Sequence, residues 1–509
     1  MFSTLAQLVR LNSILRLKQI DEFRRYPAQI QKEQFEKLME VASKTCFGKD
    51  HGLSETTRAQ QFRNQVPIRS YEDLTPYIDK ARAGESNILW KGKTDWFAKS
   101  SGTTSSRSKF VPVTADGLDT MHIQGPKDVM AIHYNNFPEN SSLDGCTLTL
   151  GGSNNLDDMG SGARSGDLSS ILIEEAPWWT ALKRQPDTKT ALIADFDTKV
   201  EAICKKVTKI NVTSFAGVPS WNMVMMQRIL EYTGASNLLE VWPNMELFIH
   251  GGMNFNPYRE QYKQLIPSSN MHYIETYNAS EGFFAIQDDP NRTDMLLMLD
   301  YDMYYEFLPM DSFSDHSSVV PLEGVELGRN YAIIISNSCG LWRYMIGDTV
   351  EFTSTFPYRI RITGRTKLFI NAFGEEIIID NAEEAMHKAC QVTDSQILEY
   401  TGAPIYMQGD TNGSHQWLVE FSRPPKDVAL FRTTLDLTLQ EINSDYAAKR
   451  NNDTTLLMPT LSIAPSGTFM KWLASQGKSG GQNKVPRLYN SRKYIDALLA
   501  IAEENHSNL

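Results

Sequence analysis

The sequence predicts an α/β protein in which a large N-terminal domain is followed by a smaller α+β domain. Apolar residues at helical spacing fill the first 60 positions, and from about residue 95 to 350 short apolar runs alternate with helical stretches and glycine-rich turns. Such strand–helix alternation is typical of an α/β core. Because the pattern changes after Gly364, we expect one domain over residues 1–364 and a second, mobile one over residues 365–509.

The elements of the large domain follow one another in chain order. Residues 1–60 are predicted to be helical. A further helix is predicted to begin at Pro219 and to end before Gly234, because proline suits the first turn of a helix and glycine its end. Apolar runs that we expect to be strands lie at 210–216, 247–250, 271–276, 331–336 and 358–364.

The second domain shows a different pattern. Asn381, with Glu384 three residues later, predicts the capped start of a short helix. A longer helical stretch covers residues 426–448, and strand-like segments at 416–421 and 456–463 flank it. The order of these segments indicates a small α+β unit.

Composition and charge exclude several classes of protein. Hydrophobic residues make up 41% of the 509 positions and charged residues 22%, so the chain can bury a core and is not disordered. The formal net charge of −11 gives no overall attraction to nucleic acids or anionic membranes. Five widely spaced cysteines without a CxxC pair exclude a zinc ribbon or a disulfide framework. Since no run of about 18 apolar residues occurs, we expect a soluble protein of the cytoplasm.

A polar loop between two apolar segments carries the richest chemical signal. Its glycine, hydroxyls and backbone N–H groups can form a nest for an anion, and Lys109 adds a point charge suited to phosphate. It lacks the spacing of a Walker A loop. An ordinary solvated loop is the alternative interpretation. The loop consists of Ser100, Ser101, Gly102, Thr103, Thr104, Ser105, Ser106, Arg107, Ser108 and Lys109.

A second polar segment, residues 275–282, directly follows a predicted strand. A carboxylate at a strand end, such as Glu281, can hold Mg²⁺, and Tyr277 can stack on a base. A competing hypothesis is a serine nucleophile elbow at Ser280, although the first glycine of that motif is missing.

Three further residues complete the set of candidates. Asp348 follows a glycine turn, where it can accept hydrogen bonds from ribose hydroxyls, and Arg365 lies beside the expected hinge. Lys484 follows a glycine-rich stretch of the mobile domain, a placement that suits a group delivered for one step. Taken singly, Asp348 has a plain alternative as a turn aspartate, and Lys484 has one as part of a solvated basic tail.

In this order the pieces resemble the adenylate-forming superfamily of acyl-CoA synthetases and luciferases. More narrowly, they resemble a bacterial-type member of the auxin-responsive acyl acid amido synthetase (Gretchen Hagen) family. The resemblance extends from about residue 40 to 490. Further matching pieces lie at residues 45–48, 215–221 and 250–252.

The resemblance implies a fold and a site. The fold would be a large α/β domain, with β-sheets, flanking helices and a small β-barrel-like part, and a mobile C-terminal domain. Glu281 would be a catalytic residue and would also hold Mg²⁺, and Lys484, with Lys478 as the alternative, would be the catalytic lysine. The residues that would hold ATP are Ser100, Ser101, Gly102, Thr103, Thr104 and Lys109 at the phosphates, Ser280 and Glu281 beside them, Tyr277, Gly251 and Gly252 at the adenine, and Asp348 and Arg365 at the ribose.

The function implied is an ATP-dependent, AMP-forming ligase that adenylates a small carboxylic acid and transfers the acyl group to an amino acid. The alternative is the same adenylation followed by transfer to coenzyme A. Two remoter hypotheses are a serine hydrolase that uses Ser280 and a non-catalytic nucleotide-binding protein. The expected partners are these small molecules, with neither nucleic acid nor membrane; the acid, the acceptor and the oligomeric state are left open.

Overall fold

The computed structural model of the chain describes residues 2–100, 109–149, 156–176, 180, 183–191, 193, 196–253, 255, 258–366, 369–407, 411–453, 455–476 and 485–507. Within these residues a twelve-stranded sheet and three smaller sheets are surrounded by helices. The predicted α/β fold class is confirmed. In the same part of the chain, no helix combines the length and the apolar character that crossing a membrane requires.

The N-terminal segment is helical, as predicted, and is followed by a hairpin. Proline stands at the first turn of the second helix, and the apolar face of that helix buries Phe35, Leu38 and Met39. The elements are α1 (Phe2–Arg25), α2 (Pro27–Ala42), α3 (Cys46–Asp50), α4 (Ala59–Gln65), α5 (Tyr71–Arg82), β1 (Trp96–Ser100), β2 (Lys109–Val113), α6 (Ala115–Gly117), a π-helical turn (Leu118–Ile123) and α7 (Gln124–Asn136).

The next segment alternates strands and helices. Pro219 is the first residue of its helix, and Gly234 ends it with φ of +71°, so that prediction is confirmed. The elements are β3 (Cys146–Thr149), β4 (Asp157–Asp158), β5 (Arg164–Gly166), α8 (Leu168–Glu175), β6 (Arg184–Gln185), α9 (Thr188–Ala191), α10 (Phe196–Val207), β7 (Val212–Gly217), α11 (Pro219–Thr233), α12 (Leu238–Val241), β8 (Leu247–Gly251) and α13 (Arg259–Leu265).

The strands that follow are mainly antiparallel. The predicted strands at 271–276, 331–336 and 358–364 are present and slightly longer than expected. The elements are β9 (His272–Ala279), β10 (Gly282–Ile286), β11 (Met295–Leu297), β12 (Met303–Pro309), β13 (Val320–Pro321), β14 (Asn330–Asn337), β15 (Tyr344–Thr355) and β16 (Tyr358–Arg365), with 3₁₀ turns at Met310–Ser312, His316–Ser318 and Leu322–Gly324.

The large sheet has a parallel end and an antiparallel end. Within the described residues its order is β13-β12-β14-β15-β16-β11-β10-β9-β8-β7-β3-β6. Strands β9, β8, β7, β3 and β6 are mutually parallel. On the other side of β9, each strand runs antiparallel to its neighbour, in the order β9, β10, β11, β16, β15, β14, β12 and β13. Parallel strands bring their carboxyl ends to one edge of the sheet, which is where ligands bind in open α/β folds.

The C-terminal segment forms its own sheet, in the order β19-β20-β21. Its elements are β17 (Phe369–Ile370), β18 (Ile377–Ile378), α14 (Ile379–Thr393), β19 (Gln396–Ile405), β20 (Ser414–Arg423), α15 (Val428–Ile442), α16 (Ser444–Arg450), a 3₁₀ turn (Asn451–Asp453), β21 (Thr460–Ala464), α17 (Thr468–Ser475) and α18 (Lys493–Ser507).

Three boundaries in this segment differ from the predictions. Helix α14 begins at Ile379 and not at Asn381, whose amide oxygen instead accepts from the N–H of Ile378. The helix predicted over 426–448 is interrupted at Asn443, which caps the start of α16 and also donates to the carbonyl of Glu375. Strand β21 begins at Thr460, four residues later than predicted. At Asn443 a tertiary hydrogen bond favours the break in the helix.

The core of the parallel end is shared with the C-terminal segment. Phe215 and Trp242 belong to the same buried cluster as Phe373 and Trp417. Two hydrogen bonds cross the same interface, from Ser220 Oγ to the carbonyl of Phe373 at 3.0 Å and from Tyr258 Oη to the carbonyl of Ala372 at 2.8 Å. In this conformation the C-terminal segment therefore packs against the parallel end of the large sheet.

Candidate active site

A cavity of 1410 Å³ lies at the carboxyl ends of the parallel strands. Gly217 of β7, Gly251 of β8 and Thr276 of β9 line it, as do residues of β15 and β16 and of the C-terminal segment. The topology brings these strand ends together, since parallel neighbours end at one edge. The cavity is therefore the place where candidate residues from distant parts of the sequence can meet.

Lys109 and Glu281 supply opposite charges to the wall of this cavity. Lys109 is the first residue of β2 and only 3% exposed, and Glu281 lies in the turn between β9 and β10. Burial lowers the pKa of Lys109, and Glu281 partly offsets that effect. Burial likewise raises the pKa of Glu281, and Lys109 partly offsets it. Each group is thus held in a setting where a ligand of opposite charge would favour its ionised form.

A chain of polar side chains crosses the cavity from β9 to the C-terminal segment. Tyr277 Oη donates to Asp348 Oδ2 at 2.7 Å, and Arg365 Nε lies 3.0 Å from Asp348 Oδ1. Asp348 and Arg365 are cross-strand partners in the β15–β16 ladder, so the sheet register sets their distance. Arg365 Nη2 then donates to Glu376 Oε1 at 2.8 Å. The orientation of the Asp348 carboxylate is fixed from both sides.

The electrostatics of this chain keep its members in defined states. Burial, followed by the charge of Asp348, raises the pKa of Tyr277 well above its usual range, so the phenol remains a neutral donor. Burial lowers the pKa of Arg365, but the carboxylates of Glu376 and Asp348 outweigh it and raise that pKa overall. A neutral donor and a fixed cation next to Asp348 suit recognition of vicinal hydroxyls.

The glycine pair at the end of β8 is required by its neighbours. A Cβ on Gly251 would lie 2.4 Å from the carbonyl oxygen of Thr276, and Gly252 has φ of +80°. The carbonyl of Gly252 accepts from Asn371 Nδ2 at 3.3 Å, a contact from the C-terminal segment. A side chain would therefore collide at Gly251 and would strain the backbone at Gly252, and the pair leaves backbone groups at the cavity wall.

Ser280 lines the cavity, but its backbone setting does not suit a nucleophile elbow. Ser280 and Glu281 form the two-residue turn of an antiparallel hairpin, in which Ala279 pairs with Gly282. The elbow places its serine between a strand and a helix. The hydrolase hypothesis thus loses the geometry on which it depended.

Several predicted residues cannot be placed. Ser100 ends β1, where its backbone pairs with Lys109, so the two ends of the polar loop meet at the cavity side of the hairpin. The remaining loop residues of the prediction and both candidate lysines lie outside the described residues: Ser101, Gly102, Thr103, Thr104, Lys478 and Lys484.

Lys449 of α16 was not among the predicted residues, yet it lines the same cavity from the C-terminal segment. It is 8% exposed, and burial lowers its pKa to about 8 against the attraction of Asp445 and Glu375. Lys449 follows buried Tyr446 by three residues in the helix, and this spacing is the signal that places Lys449 on the inner face. A second lysine, from the C-terminal segment, therefore faces the cavity.

The cavity also has an apolar part that the sequence did not assign. It lies between α7, α8, α11 and the antiparallel strands, and its apolar side chains include Val129, Leu172, Met225, Phe283 and Met295. Such a surface beside charged groups suits the body of a small organic acid.

Models of one protein family match most of the chain. The GH3 family N-terminal domain matches residues 16–202 and 163–271, the GH3 family central domain residues 296–365 and the GH3 family C-terminal domain residues 380–493. The chain belongs to the GH3 family. The resemblance to this family, inferred from the motifs, is thereby confirmed, whereas the bacterial type of the member stays a prediction.

Curated relatives in the GH3 family are similar over nearly their whole length. The indole-3-acetic acid-amido synthetase GH3.3 of Arabidopsis thaliana is 24% identical, covering 95% of this chain and 93% of its own. The 4-substituted benzoates-glutamate ligase GH3.12 of the same plant is also 24% identical, covering 86% and 88%. These two relatives thus match this chain over most of its extent.

Solved structures show the same fold. A GH3.15 acyl acid amido synthetase in complex with 2,4-DB superposes with a TM-score of 0.62 at 17% identity, covering 96% of each chain. A 2-hydroxyisobutyryl-CoA ligase in its thioesterification state gives a TM-score of 0.57 at 12% identity, covering 94% of this chain and 92% of its own. At these identities the likeness concerns the fold.

Proposed function

We propose that this GH3-family chain is an ATP-dependent, AMP-forming ligase that activates a small carboxylic acid and transfers the acyl group to the amine of an amino acid. The observation that carries the proposal is the cavity in which Lys109, Glu281 and the Tyr277–Asp348–Arg365 chain converge. Relatives named as amido synthetases and ligases support it over most of the chain. We further propose a reducing, cytoplasmic setting, in keeping with five free cysteines.

The residues of the cavity fit ATP. Asp348, oriented by Tyr277 and Arg365, would accept the ribose hydroxyls, and the Gly251–Gly252 backbone would lie against the base. Lys109 would neutralise phosphate charge, together with the backbone of the loop that it closes. Tyr277 and Arg365 already hold the Asp348 carboxylate in its orientation.

Glu281 fits a role as a Mg²⁺ ligand. It is a buried carboxylate at a strand end, and a cation beside it would favour the ionised form that burial opposes. When bound there, Mg²⁺ would neutralise part of the charge of the phosphates.

Adenylation follows from the charge problem of joining two anions. A carboxylate oxygen of the acid forms a bond to the α-phosphorus of ATP, and the bond from that phosphorus to the β-phosphate oxygen breaks. Pyrophosphate leaves with the electron pair. Lys109 lines the cavity, and we propose that its ammonium offsets the charge that develops, as preorganised donors in a closed site do effectively.

Transfer to the amine completes the reaction. The nitrogen forms a bond to the acyl carbon, the bond from that carbon to the AMP oxygen breaks, and the amine loses a proton. We propose that residues 365–509 move as a unit between these steps and that Lys484 is the lysine they deliver for adenylation. Arg365, which pairs with both Asp348 and Glu376, stands at the junction.

Pyrophosphate exchange tests the proposal. The purified protein would be incubated with ATP, Mg²⁺ and labelled pyrophosphate across a panel of aromatic, aliphatic and hydroxy acids. We expect exchange that depends on one class of acid, followed by an amide product when amino acids are added. If a thioester forms with coenzyme A and no amide forms with amino acids, the acceptor is a thiol and not an amine. ATP binding without any exchange would overturn the proposal.

A further inference from the structure

A second polar cluster lies at the opposite end of the strands that form the cavity. Glu246 directly precedes β8, His272 is the first residue of β9, and His133 lies in the last turn of α7. Glu246 and Gly251 are five positions apart in the sequence, which corresponds to about 17 Å at the rise of a strand. The cluster is therefore separate from the candidate active site.

The three side chains converge on one point. Each offers one ligand atom, and these atoms all lie within 4.8 Å of one another. The two imidazole rings meet edge to face with centroids 5.2 Å apart, and Phe137 stacks on His272 at 3.6 Å. Aromatic packing fixes the rings in this arrangement.

The buried nitrogens of the cluster are not satisfied by protein groups. His133 is 0% exposed, and among the described residues neither of its ring nitrogens has a hydrogen-bond partner. The Nδ1 atom of His272 also lacks one within the same residues. Leaving a buried polar atom unpaired is costly, so a ligand for the unprotonated nitrogen of each ring would stabilise the fold.

The charge and the hydrogen bonds of Glu246 favour a cation at this point. Glu246 supplies the one negative charge, and its Oε2 accepts from Ser141 N at 2.9 Å and Ser141 Oγ at 2.7 Å. Hydrogen bonds of this kind orient carboxylates that bind metals.

We propose that His133, Glu246 and His272 bind a divalent transition-metal ion, with zinc favoured by the two imidazoles and one carboxylate. Zinc binds such ligands at about 2.0–2.2 Å, so the three atoms would draw closer together, and a water would complete four-coordination. Because the ligands come from α7, from the residue before β8 and from the first residue of β9, the ion ties a helix to the parallel sheet. It lies at the end of the strands away from the cavity and is separate from the residues proposed to bind ATP.

Metal analysis of the full-length protein tests this site. Chelator-treated protein would be titrated with Zn²⁺ and Co²⁺ in the absence of nucleotide. We expect about one ion per chain and the visible spectrum of four-coordinate cobalt. His133→Leu and His272→Gln should lose the ion, and Ser141→Ala should weaken zinc binding by about tenfold or more.

Two matched variants serve as controls. His122→Leu removes another buried imidazole, from the π-helical turn before α7, and should retain the ion. Glu281→Gln should also retain it, which separates the site from the active-site carboxylate. Zinc retained by the His133 and His272 variants, or no binding by wild type, overturns the proposal. Should those variants fail to fold, X-ray absorption on zinc-loaded wild type decides, since a metal shell without two imidazoles contradicts the assignment.

Discussion

The two ends of β8 and β9 differ in the kind of polar group that they bury. At the carboxyl ends, the ionisable groups of Lys109, Glu281 and Lys449 line a cavity. Burial shifts the pKa of each group in the direction that favours its neutral form. At the amino ends, imidazoles and one carboxylate pack among aromatic rings. Buried ionisable groups in an open cavity are costly and indicate a charged ligand. The amino ends instead show a tight, aromatic setting.

Replacing Lys109 at the carboxyl ends should have the largest effect. Lys109→Met removes the ammonium that would offset charge in the adenylation step, and we expect exchange to fall about 10²–10³-fold. Initial rates of ATP–pyrophosphate exchange at saturating substrates measure this. Lys93→Met, which removes an exposed lysine near β1, is the control. Wild-type exchange in Lys109→Met would remove that residue from the site.

Lys449 tests whether a charged side chain in the cavity lowers the free energy of unfolding. Its folded pKa of about 8 lies below the ordinary value of 10.5, so the unfolded chain holds more protons between those pH values. Stability contributed by this group therefore rises with pH across that window. Lys449→Met should remove the rise and stabilise the fold at pH 7 by on the order of 3 kcal/mol.

Denaturation midpoints at pH 7 and pH 9.5 would measure the effect of Lys449→Met. The control is Lys388→Met, which removes an exposed lysine of α14 and should leave the pH dependence unchanged. If Lys449→Met destabilises the protein at pH 7, the ion pairs of the lysine stabilise the fold by more than its burial destabilises it.

Asp348 tests the ribose end of the cavity. Asp348→Asn keeps the shape of the side chain but removes the charge that faces Arg365 and the expected hydroxyl partners. Hydrogen bonds to charged groups contribute about 1.5–3 kcal/mol, so ATP affinity should fall roughly 10–100-fold. Calorimetric titration with ATP measures it. Asp311→Asn, at an exposed ion pair with Arg329, should bind as wild type does.

Replacing Ser280 should have the smallest effect of the four substitutions at the cavity. A neutral hydroxyl that contacts a phosphate contributes about 0.5–1.5 kcal/mol, so Ser280→Ala should slow exchange by roughly 2–10-fold. Complete loss of activity, together with labelling of wild type by a fluorophosphonate at Ser280, would revive the hydrolase hypothesis. The exchange assay and intact-mass analysis together distinguish the two.

Local features of the site were predictable, whereas contacts between distant segments were not. Helix α11 could be bounded at both ends because Pro219 and Gly234 act through their own backbone angles. The break at Asn443 could not be predicted, since it depends on a hydrogen bond to Glu375, 68 residues earlier in the sequence. Lys449 was missed for the same reason: its burial depends on which face of α16 packs inward.

By itself, the sequence determined the α/β class, the order of the polar segments and the family to which they point. These depend on spacing along the chain and on the chemistry of single residues. Only the tertiary structure decided that Asp348 pairs with Arg365 while its other oxygen accepts from Tyr277, and that His133 meets His272 and Glu246. Sheet register and helix packing join residues that no fixed spacing connects, because such contacts depend on the free energy of the whole fold.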